Sequence, residues 1–273
     1  MAKDAKSAFC EDSRVKFPTL MHLMGMGFKY VSLKGLKTKY VEAPKTEFDP
    51  LTNILTDYFT DAYCTLNPKA EKKDAEDMLV KIQKSLQNDD LGRQFYNEIL
   101  LNTGERIIDL SSPANFYRNN TFQVTTEMTC GSKDSDNYRP DITIFVNGLP
   151  LAFIEVKKEN NHKGIQAETD RMKQRFVNPQ YRRFLNITQI MVFSNDMEYD
   201  NNEVTPTIGA FYATIGKKNT KYNCFREEGQ DSFPTARHIH QVTPEEEEVL
   251  LRDNNVPQYK NSSEYKTNCL ANT

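Results

Sequence analysis

The chain has 273 residues, 35 Lys plus Arg against 38 Asp plus Glu, and a formal charge of −3. That length suits one large domain or two ordinary ones, and 16 Phe with 13 Tyr supply core material that disordered chains lack. The near-neutral mean excludes a chain coated with positive charge while leaving room for a local basic patch, and no apolar run approaches the roughly 20 residues of a membrane span. The five cysteines are scattered and form no CxxC pair, which excludes a small disulfide scaffold. The four histidines have no zinc-site spacing, and the N-terminus has no apolar signal core, so cytoplasm is the expected compartment.

In chain order, residues 17–42 predict a short helix, a turn and a strand. Leu51, Ile54, Leu55, Tyr58 and Phe59 recur at helical spacing, predicting a helix over 49–62. A second helix is expected over 68–86, with Ala75, Met78, Leu79, Ile82 and Leu86 inward. A third is expected over 91–101, with Gly104 as its stop. The period then changes to two. Strands are expected at 107–110, 122–128, 141–146 and 151–157, with Asn147-Gly148 as a hairpin turn between the last pair. A helix over 164–177 follows, then strands at 187–194, 209–215 and 221–225. From Glu227 on, the Pro, Asn, Ser and EEEE content predicts loop, short helix or linker. Helices first, then a mixed sheet with a crossover helix, predict an α/β (α+β) domain behind an N-terminal helical cap. The expected divisions are 1–103 for the cap, 104–226 for the core and 227–273 for the tail.

One group of residues carries chemistry. Asp141 follows Pro140 at the start of one strand, and Glu155 and Lys157 sit near the end of the next. Residues two apart on a strand share a face at roughly 6.5–7 Å, so Glu155 and Lys157 project to the same side as Phe153. The hairpin brings Asp141 to that end. Burying two carboxylates and an ammonium is costly unless something pairs them. Mg²⁺, which takes a few carboxylate oxygens and keeps several waters, would do so. It suits phosphodiester hydrolysis, with Lys157 placed to hold the attacking water or the phosphate. The ordinary alternative is an Asp at a strand start and an exposed Glu/Lys pair on an edge strand.

The unit Arg139-Pro140-Asp141, the hairpin through Asn147-Gly148-Leu149-Pro150, and Glu155-Val156-Lys157 together resemble the PD-(D/E)xK nuclease core. More closely, RPDITIFVNGLPLAFIEVKK resembles the N-terminal nuclease domain of the restriction (R) subunit of type I restriction–modification enzymes. FPTLMHLMGMGFKYVSL, NNTFQVTTEMT, TQIMVFSND and SSEYKTN extend the likeness over most of residues 17–267. The resemblance implies a mixed β-sheet flanked by helices and Mg²⁺-dependent endonucleolytic cleavage of double-stranded DNA. Asp141 and Glu155 would ligate the metal, the Val156 carbonyl would add a ligand, and Lys157 would be the catalytic lysine. Glu98 is the candidate for the upstream helical glutamate such enzymes often have, with a solvent-facing side chain as the alternative. A Gln-x-x-x-Tyr pattern often follows the lysine in this family; here its positions fall on Glu168 and Met172, so the pattern is absent. The resemblance also implies methyltransferase and specificity subunits as partners, and no membrane. ATP would act only through a translocase, and no phosphate-binding G-x-x-x-x-G-K-[ST] occurs in this sequence. The chain therefore reads as an N-terminal fragment, with the motor expected beyond Thr273.

On the DNA side, residues 157–183 carry eight basic residues and three acids. Lys158, Lys163, Arg171, Lys173 and Arg175 are the candidate phosphate contacts, with Arg171 and Arg175 one helical turn apart. A solvated amphipathic face is the alternative for that helix. Two other functions stay open: another PD-(D/E)xK restriction or repair nuclease, and a non-catalytic module docking the motor to the methyltransferase core.

Overall fold

The computed structural model describes residues 11–33, 48–49, 51–102, 104–130, 138–157, 164–195, 210–214, 223–224 and 239–254. Among these described residues the frame is a mixed sheet of seven strands in sequence order. These are β1 (Lys29–Tyr30), β2 (Phe122–Thr126), β3 (Ile142–Val146), β4 (Leu149–Val156), β5 (Ile190–Ser194), β6 (Ala210–Thr214) and β7 (Asn223–Cys224). The pairs β1–β2 and β4–β5 are parallel and the others antiparallel. Antiparallel neighbours need only turns, but the parallel β4–β5 pair needs a crossover. Helix α5 (Gly164–Val177) supplies it, followed by a 3₁₀ turn (Pro179–Tyr181) and α6 (Arg182–Ile187). The protein has an α/β fold.

Helices cover both faces. α1 (Phe17–Gly25), continuous with a π-helical stretch at Asp12–Lys16, packs on one face together with α7 (Pro244–Asp253). Phe17, Leu20 and Met24 of α1 share a core there with Ile142, Ile154 and Val156, and with Val249, Leu250 and Leu251 of α7. On the opposite face, Phe153, Met191, Phe193 and Phe211 pack with Met172 and Phe176 of α5 and Phe184 and Leu185 of α6. The alternation in β4 is therefore the expected one: Phe153 faces α5, and Ile154 and Val156 face α1. A third core lies at the hairpin end. There α2 (Thr56–Leu66), α3 (Lys72–Ser85) and a π-helical stretch (Phe95–Leu100) close over Val146 and Leu149.

The β3–β4 hairpin turns at Asn147 and Gly148, with φ of 53° and 76°. Both residues tolerate the positive φ that a two-residue turn demands. Between Ile144↔Ala152 and Phe145↔Pro150 the register shifts, leaving Leu151 as an extra residue. Pro150, which cannot donate to a ladder, sits beside this bulge.

Three expectations need correction. The helix expected over 49–62 is α2, which starts at Thr56. Asp49 instead organises a turn: its carboxylate accepts from the Leu51 amide and the Thr52 hydroxyl, and its carbonyl from the Asn53 amide. No strand forms at 107–110. Asp109, Ser111 and Ser112 bond locally and start α4 (Pro113–Asn119), with Ser112 as cap and Pro113 in the first turn. The strand expected over 187–194 begins at Ile190, because Ile187 closes α6. In the tail, a short helix, one of the expected alternatives, forms over 244–253; it is capped, and its Leu250 is fully buried. The part of the early strand over 34–42 lies outside the described residues.

Candidate active site

The site forms where β3 begins and β4 ends. Ile142 pairs with Ile154, so one step further along the ladder sets Asp141 across from Glu155. Side chains of directly opposed residues share a face, with Cβ atoms about 4.5–5.5 Å apart. Asp141 is tied down twice. Its Oδ2 accepts from the Val156 backbone amide at 2.8 Å, and its carbonyl accepts from the Glu127 amide at 3.3 Å. Such an anchor holds the carboxylate at the β4 end without a second side chain.

Glu155 is 5% exposed. Burial, first, and then the neighbouring Asp141 and Glu168 carboxylates push its carboxyl well above the usual carboxylate range; Lys157 works in the other direction. The Tyr138 hydroxyl lies near Glu155, and both that hydroxyl and Glu155 Oε1 are buried without a hydrogen bond. A buried carboxylate oxygen left over in this way asks for a cation.

Lys157 continues β4 by donating its backbone amide to Ser194. Its side chain turns back, so that Nζ donates to the Val156 carbonyl at 2.8 Å and lies 3.6 Å from Glu168 Oε2. The carbonyl expected to bind metal is thus engaged by the lysine expected to work beside it. Two carboxylates and a carbonyl are hard oxygen donors, and Mg²⁺ is commonly held by one or two carboxylates with water completing its shell. The residues fit that ion. Among the described residues no group of three or more His, Cys, Asp and Glu side chains is disposed to hold a metal, so the donor set stays at this small number.

Helix α5 closes the site from the side of Phe153. Glu168 is almost fully buried and receives Arg171 Nη1 at 2.9 Å and Arg175 Nη1 at 2.7 Å. Arg175 also stands 3.8 Å from Glu155 Oε1, and its guanidinium lies over the Tyr138 ring at 3.8 Å. Arg171 and Arg175 share a helix face, as their spacing predicts. That face turns towards Glu168, and Arg175 is only 20% exposed. Lys173 is exposed and pairs with Asp170 at 2.8 Å. Lys158 and Lys163 lie outside the described residues.

Glu98 is not brought to this group. It is exposed on the π-helical stretch and accepts from the Gln94 amide, while its neighbours Ile99 and Leu100 join the core with α2 and α3. Tyr138 and the acid role of Glu168 were not foreseen. The Glu168–Arg171–Arg175 spacing of i, i+3, i+7 is the signal that could have found the cluster.

A family model described as the type I restriction enzyme R protein N terminus matches residues 9–204, well over half of the chain. The chain belongs to this family. The matched span of the R protein domain includes Asp141, Glu155, Lys157 and the whole of α5. A comparison with curated proteins gave no match. Among the described residues no helix of this R protein domain is long and apolar enough to cross a membrane.

Proposed function

We propose that this R protein domain is a PD-(D/E)xK nuclease that hydrolyses phosphodiester bonds of double-stranded DNA with Mg²⁺. The observation that carries the reading is the meeting of Asp141, Glu155 and Lys157 at one end of the β3–β4 hairpin, with a buried Glu155 oxygen left without a hydrogen bond. Bound there, Mg²⁺ would polarise the phosphodiester and help generate the attacking hydroxide. Asp141 and Glu155 would hold the ion, with the Val156 carbonyl reached once Lys157 Nζ moves from it to the phosphate. Lys157 would orient the water or offset charge developing on the phosphoryl oxygens. The exposed Arg171 and Lys173, with Lys158 and Lys163, would contact backbone phosphates without reading sequence. In this reading residues 104–226 are the nuclease core, 1–103 pack on it, and 227–273 lead towards a translocase. ATP acts only through that motor, in a cytoplasmic complex with methyltransferase and specificity subunits.

The test is Mg²⁺-dependent nicking by the complete restriction complex carrying Asp141→Ala or Lys157→Ala. Each change should lower cleavage at least about a hundredfold while leaving ATP hydrolysis intact. Wild-type cleavage by both variants would sink the assignment and leave a docking module as the reading.

A further inference from the structure

Arg175 stands within 4 Å of two carboxylates, and the shorter distance goes to Glu168. Arg175 Nη1 lies 2.7 Å from Glu168 Oε1 but 3.8 Å from Glu155 Oε1. Lys157 Nζ lies 3.6 Å from Glu168 Oε2. Oε2 also takes Arg171. A carboxylate buried to 1% exposure persists only when its charge is matched, and three cations match this one. Both of its oxygens are committed to them. A metal-ligand role is therefore not what the geometry offers Glu168.

We propose that Glu168 is a positioning residue: it holds Arg175 and Lys157 beside the reacting phosphate and keeps them off the carboxylates of Glu155 and Asp141. The proposal rests on the metal-dependent reading of Asp141, Glu155 and Lys157. It gives Arg175 work different from a clamp on distant DNA backbone. Held on Glu168 and laid over the Tyr138 ring, the guanidinium is a second fixed cation for charge that develops on the phosphoryl oxygens. Without Glu168, the nearest acid for Arg175 is Glu155. The arginine would then close from 3.8 Å onto the Glu155 oxygen that now has no hydrogen bond and compete with the metal for it.

Calorimetric titration of the chain with Mn²⁺ separates this role from a loss of charge or of fold. Glu168→Gln and Glu168→Ala should weaken Mn²⁺ binding about tenfold or more, the scale at which supporting residues act on a metal site. Adding Arg175→Ala to either should restore most of the affinity, because the competing cation is gone. In the complete restriction complex, Glu168→Gln should lower kcat about tenfold to a hundredfold with KM for DNA nearly unchanged. Circular dichroism of the Gln variant checks that it folds. If both Glu168 variants bind Mn²⁺ like the wild type, or Arg175→Ala restores nothing, the proposal is overturned. An inactive Asp141→Ala beside normal Glu168 variants would overturn this proposal alone. Wild-type protein that binds no Mn²⁺ would overturn the site reading and this proposal together.

Discussion

Asp109 shows how local polar groups set the acid response of one residue. Hydrogen bonds from the Ser111 hydroxyl, the Asn119 amide and the Ser111 backbone hold its carboxyl down at about 2. Loss of hydration opposes the shift, and the three hydrogen bonds outweigh it. A carboxyl depressed in the folded state stabilises the fold above its unfolded value of about 3.9, and that contribution fades as pH falls towards 2. Asp109→Asn should therefore lower the Tm at pH 6, and the gap to wild type should close between about pH 4 and 2. A gap that stays constant across that range would mean that the carboxylate's charge is not what stabilises the loop. Glu155 lies at the other extreme, pushed up by burial and by two acids. The two carboxyls differ because one is ringed by donors and the other by apolar side chains and like charge.

At the scale of elements, the β3–β4 hairpin is the part on which the site depends, and its turn is held from three directions. The Asn147 side chain accepts from the Thr121 amide and donates to the Ile107 carbonyl and to Asn120. The Gly148 carbonyl accepts from Leu55 just ahead of α2. A Cβ on Gly148 would lie 2.5 Å from the Leu55 carbonyl oxygen and 2.8 Å from the Phe59 nitrogen, at a φ of 76°. Gly148→Ala should destabilise the chain by about 1–3 kcal/mol from backbone strain alone, with the steric clash adding to it. An unchanged urea midpoint would show that α2 is free to withdraw. The Asn-Gly pair was legible because only a few residues tolerate this turn. The bulge at Leu151 was not, since it depends on which residue of β3 each residue of β4 meets. Ser112-Pro113 marks the start of α4, but the seven-residue helix is too short to show a helical period beside the apolar run at 107–110.

For the whole molecule, the first and last described helices meet on one face of the sheet. Leu250 of α7 shares a core with Leu20 of α1 and Val156 of β4. Tyr30 of β1 donates to Asp253 at the end of α7. Leu250→Ala should cost about 2–5 kcal/mol, measured by chemical denaturation, because the cavity is enclosed by both helices and the sheet. A loss below 0.5 kcal/mol, about what an exposed position gives, would mean that α7 does not cover the site's rear face. The α/β class, the hairpin, the crossover helix and the juxtaposition of Asp141, Glu155 and Lys157 follow from local sequence pattern. Period-two patterning, an Asn-Gly turn and i, i+2 spacing act over a few residues and can be read along the chain. Tertiary packing alone puts α7 in the core, leaves Glu98 apart from the site, and sets Arg175 over the Tyr138 ring and 3.8 Å from Glu155. Those outcomes depend on which distant surfaces meet, and a buried charge settles on whichever opposite charge the fold brings within about 3–4 Å.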